Sequence, residues 1–157
     1  MAVHLISTGL SGEVANASQP AFCIKLHSGH SSPAAGATIA WHNSGERFDQ
    51  GGDFASYTFT APVTGKYCFM CHFRMNTIDK DNTYCYFNFL TSNATYEMSL
   101  AKDALGSGVD VTYQSKHGSV LADMDANDTC YIAFQFHGGV TCSSISSDSW
   151  FSGFLVC

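Results

Sequence analysis

The stretch from Phe48 to Phe69 restricts the fold of this chain more than any other. Tyr57 and Phe59 alternate with threonines, the period-two pattern of a strand with one buried face. Pro62 to Gly65 interrupts that pattern and supplies a turn, because proline lacks the N–H that a central strand must donate. Alternation then resumes. Tyr67, Phe69, Cys71 and Phe73 share one face, and Cys68, Met70, His72 and Arg74 share the other. The segment reads as an antiparallel pair joined by Ala61-Pro62-Val63-Thr64-Gly65.

The rest of the 157-residue chain is consistent with sheet throughout. Aromatic and charged residues each make up 13%, against an ordinary charged share of about 25%, so Ser, Thr, Asn and Gly must form most of the surface. Such a composition is poor helix material and good sheet material; Ala101–Leu105 is the one short helical candidate. Strands spaced by Gly-rich turns predict an all-β sandwich or jelly roll in a single domain. The net charge of −6 and the lack of any Lys/Arg cluster argue against nucleic-acid binding. No apolar run approaches the roughly 18 residues of a membrane-spanning helix. Met1 to Ile6 lack the basic start and long apolar stretch of a secretory signal. Residues 1–19 are expected to form a polar lead, a strand or an anchor, and 20–157 the folded domain.

Phe48-Asp49 and Phe59-Thr60-Ala61-Pro62-Val63-Thr64-Gly65-Lys66-Tyr67-Cys68-Phe69 resemble the central signature of the complement C1q and tumour-necrosis-factor-like superfamily. Gly118-Ser119-Val120-Leu121, Asp128-Thr129-Cys130-Tyr131 and the terminal Ser149-Trp150-Phe151-Ser152-Gly153-Phe154-Leu155-Val156 fall in that family's order, and Pro20-Ala21-Phe22 suits its first strand. The resemblance implies a ten-strand jelly roll, three copies of which pack around a threefold axis. Tyr57, Phe59, Tyr67, Phe69, Tyr84, Tyr86, Phe87, Phe89, Phe151 and Phe154 are then expected in the core or the trimer interface.

Chemical constellations are few. Cys68-x-x-Cys71 has metal or redox spacing, but on a strand the two side chains point to opposite faces. The seven cysteines are expected to be mainly reduced and packed as small hydrophobes, with Cys157 the best candidate for a free or intermolecular thiol. His27 and His30 are the only close histidine pair, without a third ligand nearby. Asp123-Met124-Asp125-Ala126-Asn127-Asp128 resembles a calcium loop but lacks its glycine and terminal glutamate; calcium at Asp123 and Asp125 stays open as the one cofactor to consider. No nucleophile elbow or phosphate-cradling loop is present, so no enzymatic activity is expected.

In style the chain is similar to C1q-like domains of bacteriophage structural proteins. That resemblance implies a virion protein made in the host cytoplasm, partnered by itself and by other virion proteins. Two functions follow as expectations. One is a trimeric adhesin, a tail-fibre or receptor-binding tip that binds a host-surface glycan or protein. His27, His30, Asp79, Asn82, Tyr113 and His117 would serve as its gripping residues. The other is a trimeric capsid decoration protein anchored by residues 1–19.

Overall fold

The computed structural model describes residues 19–41, 43–81, 84–101, 109–138 and 142–157. Almost all of the expected lead, Asn82, and Lys102 to Leu105 of the helical candidate lie outside the described residues; Ala101 ends a strand. The described strands are β1 (Ala21–Lys25), β2 (His30–Ser31), β3 (Glu46–Asp49), β4 (Phe54–Ala55), β5 (Thr58–Thr60), β6 (Gly65–Ile78), β7 (Tyr84–Thr91), β8 (Thr95–Ala101), β9 (Val111–Met124), β10 (Thr129–His137), β11 (Cys142–Ile145) and β12 (Trp150–Leu155). β2 and β4 are only two residues long, and each belongs to one of the two sheets of the sandwich. One sheet has the order β2-β11-β6-β12-β1-β3, with β9 on the free side of β6; the other runs β4-β5-β10-β7-β8.

β6 organises the first sheet. Its fourteen residues pair with β9 on one side, and with β12 and then β11 on the other. Tyr67, Phe69, Cys71, Phe73 and Met75 point into the sandwich and are buried, while Cys68, Met70, His72, Arg74 and Asn76 stay half-buried on the outer face. The alternation follows from the strand's period of two.

Aromatic rings close the two sheets onto each other. Phe22 of β1 lies 5.0 Å from both Phe54 and Phe59 of the opposite sheet and meets Phe151 edge-on at 4.9 Å. Further along, Phe73 meets Phe134 edge-to-face at 4.7 Å and Phe87 at 5.2 Å. Each fully buried phenylalanine contributes about 1.5–3 kcal/mol by leaving water. Gly153, central in β12, makes room for this cluster. A Cβ there would stand 2.6 Å from a Phe69 ring carbon and 2.8 Å from one of Phe22. The Phe-Ser-Gly-Phe motif therefore has a packing cause: only glycine lets two rings lie against the strand backbone.

The Phe48–Phe54 loop is tied by Asp49, whose carboxylate accepts the backbone N–H of Asp53 at 3.0 Å and of Phe54 at 2.9 Å. Beyond it the structure corrects one expectation. Tyr57 is not a strand residue: Ser56 (φ 50°) and Tyr57 (φ 70°) form the left-handed two-residue turn between β4 and β5. A two-residue hairpin needs this backbone to match the twist of its strands, whatever the residues' own preference. Tyr57 nevertheless packs on the core.

Replacing Gly153 by Ala forces buried rings off their positions. We expect a loss of about 1–3 kcal/mol, read as a lower midpoint in urea unfolding; an unchanged midpoint would show that the rings yield freely.

Candidate functional site

Two solvent-facing sheet surfaces are available, and they differ in chemistry. On the seven-stranded sheet, cross-strand register brings Leu121, Cys68, Phe154 and Ala21 into one outward row, and Ser119, Met70, Ser152, Cys23 and Phe48 into the next. Phe48 is 51%, Leu121 58% and Phe154 38% exposed, large values for apolar side chains; Leu121 and Phe154 flank Cys68, while Phe48 stands on the far edge strand. The third row is polar: His117, His72, Trp150 and Lys25, with the His72 and Trp150 rings near-parallel at 6.2 Å. Beyond it, the Arg74 guanidinium lies 4.4 Å over the Tyr113 ring and bonds Asp148 at 2.8 Å. The apolar rows are thus bordered by charge on both sides, by Arg74 and Asp148 at one end and by the Lys66–Asp123 pair at the other.

The residues expected to grip a ligand do not gather at one place. His27 is exposed and lines a shallow cleft of about 260 Å3, whose walls include Lys25, Gly45, Glu46 and Arg47. His30 opens β2 at the far edge of the same sheet, opposite Ile145. Asp79 lies in the turn after β6, where its carboxylate accepts the Asp81 N–H at 2.8 Å. Tyr113 stands on β9 opposite Asn76, and His117 opposite His72. Asn82 falls outside the described residues.

Asp123 is engaged by Lys66. Asp125 takes part in a hydrogen-bonded turn, its N–H donating to Asp128 Oδ2 at 2.8 Å. Among the described residues, no three His, Cys, Asp or Glu side chains come together as metal ligands. No disulfide joins any of the cysteines. Burial holds the Cys71 and Cys130 thiols far above their ordinary range and pushes Cys85 to about 11 and Cys142 to about 12. A thiol that does not ionise is neither a nucleophile nor a ready metal ligand.

The alternation along β6 and the terminal motif named Cys68, Met70 and Phe154 of the outward rows, but not Leu121 or Phe48 beside them. That alternation places Cys68 and Met70 opposite the core face. What joins them to Leu121, Phe154 and Phe48 is long-range pairing, which no local pattern encodes.

The model of the C1q domain matches residues 21–156, and the chain belongs to that family. Among solved structures it is similar to the globular domain of zebrafish complement 1qA protein, at 16% identity and a TM-score of 0.67, over 89% of this chain and 98% of that one. Identity that low speaks for the fold. Among curated proteins none has a matching sequence.

Burial lowers the pKa of His30 below its ordinary 6.5, and its Nδ1 is buried without a hydrogen-bond partner. The folded state then binds fewer protons than the unfolded one between that lowered value and 6.5, so stability rises with pH across this window and is lost on acidification. Urea midpoints measured on either side of 6.5 should show this slope in the native chain and a shallower one in His30→Gln; equal slopes would remove His30 as its source.

Proposed function

We propose that this chain is a non-enzymatic, homotrimeric recognition module of a virion, an adhesin that binds a ligand on the host-cell surface. The observation that carries the reading is the outward face of the seven-stranded sheet, where exposed Leu121 and Phe154 flank half-buried Cys68, with Met70 next along β6. Apolar side chains grouped on an open sheet face are costly in water and call for a partner. C1q domains typically assemble as trimers and are generally binding proteins rather than enzymes, so a further copy of this chain is the occupant that fits. Closing three copies around an axis repeats every exposed loop three times and turns weak contacts into avidity. Buried thiols that form no disulfide, such as those of Cys71, Cys85 and Cys130, suit assembly in a reducing compartment such as a bacterial cytoplasm. The resemblance to bacteriophage C1q-like domains supports the virion.

Light scattering should give the mass of three copies of a 16.9 kDa chain, and Phe154→Asp, which places charge in the apolar row, should give monomers. The labelled trimer should adsorb to cells within a panel of bacterial strains, and the Phe154→Asp monomer about a hundredfold more weakly. A monomeric native chain sinks the trimer. A trimer that adsorbs to no cell sinks the adhesin and leaves capsid decoration as the role to test.

A further inference from the structure

The outer face of the seven-stranded sheet holds two histidines side by side. His72 of β6 stands directly opposite His117 of β9, His72 half-buried and His117 exposed. Residues facing each other across an antiparallel pair have Cβ atoms about 4.5–5.5 Å apart. Among the described residues no other two histidines are register partners. The pair that is close in sequence, His27 and His30, is split between a loop and the sheet edge, and His30 Nδ1 is buried.

The nitrogens of the facing pair are unused. Among the described residues no hydrogen bond or ion pair engages either imidazole, and the pair has no buried unpaired nitrogen of the kind found in His30 and His137. The His72 ring lies near-parallel to Trp150 at 6.2 Å. A face contact of this kind restricts the plane of the ring and leaves its edge, which carries the nitrogens, uncovered.

Two such imidazoles make a chelate. A transition-metal ion bonds each nitrogen at about 2.0–2.1 Å, so the two must come within roughly 3 Å of each other, which facing Cβ atoms on neighbouring strands allow. Imidazole suits zinc, nickel and copper, whereas calcium and magnesium take oxygen donors. The nearby cations are drawn to a carboxylate. Arg74, next along β6 on the same face, lies 4.4 Å over the Tyr113 ring and bonds Asp148 at 2.8 Å. Lys25, at the far end of the histidine row, has its amine 3.8 Å from the same Asp148. Asp148 thus offsets part of the positive charge that would oppose a bound cation.

We propose that His72 and His117 form a two-histidine clamp for a divalent transition-metal ion of the zinc, nickel and copper class. Two protein donors leave the remaining coordination positions to water or to a donor group of a docked partner. Among the described strands of its sheet, β9 pairs only with β6, so an ion held here also ties that strand to its one neighbour. The site is built from a single chain and is independent of the adhesin reading.

The test titrates Ni2+ into the untagged, chelator-treated native chain by calorimetry. One ion should bind per chain, in the native assembly and in Phe154→Asp alike, and Ca2+ should not displace it. His72→Gln and His117→Gln should each weaken binding about tenfold or more, because one imidazole alone loses the effective concentration of the other. His27→Gln and Cys157→Ser, which alter an exposed histidine and an exposed thiol elsewhere, should leave it unchanged. Two readouts on the native chain do not depend on any variant's folding. Substoichiometric Ni2+ should broaden the imidazole NMR signals of His72 and His117 before those of other histidines, and Zn2+ should slow amide exchange along β9. No binding by the native chain, binding that His72→Gln leaves intact, or broadening that starts at other histidines overturns the clamp. Loss of binding in Cys157→Ser, or one ion per three chains, assigns the ion elsewhere and overturns it as well.

Discussion

The structure depends on one contact between the sheets: the Phe22 ring, which leaves β1 and lodges among Phe54, Phe59 and Phe151. Two of those partners belong to the five-stranded sheet and one to the seven-stranded sheet, so the ring couples the layers. Its place exists because Gly153 has no side chain, and the same gap admits Phe69. Aromatic rings suit the role: they bury large areas and prefer offset or edge-on contacts, which the measured interplanar angles of 18° to 80° around Phe22 display. Hydrophobic burial alone would tolerate many arrangements, whereas interlocking rings select one.

With the interior so committed, the outer faces are left to function, and they divide the work. The face of the seven-stranded sheet sets apolar Leu121 and Phe154 between the Lys66–Asp123 pair and the Arg74–Asp148 pair. The face of the five-stranded sheet presents the near-parallel rings of Tyr84, Tyr86 and His137. The two chemistries are separated by the thickness of the sandwich, so occupation of one does not obstruct the other.

The strands around the Pro62–Gly65 turn were legible because alternation is a local signal. Residues two apart share a face whatever the rest of the chain does, so the burial of Tyr67, Phe69, Cys71 and Phe73, and the split between Cys68 and Cys71, were readable. The left-handed turn at Ser56-Tyr57 was not, because neither residue advertises that backbone and the hairpin imposes it. The gripping residues were chosen by chemical type and loop character, and the fold distributes them over separate edges. The pairing of His72 with His117 escaped notice because it joins distant positions of the chain through register, which a one-dimensional pattern does not carry.

The last strand of the chain is an interior strand of its sheet. β12 (Trp150–Leu155) lies between β1 and β6 and pairs with both. β1 and β6 do not pair with each other, and the strand that joins them lies far along the sequence from both. Until β12 docks, each presents an open edge to any other chain nearby. The sheet therefore closes in a step of high contact order, and the speed of that step decides whether neighbouring copies meet as finished subunits or as tangled strands.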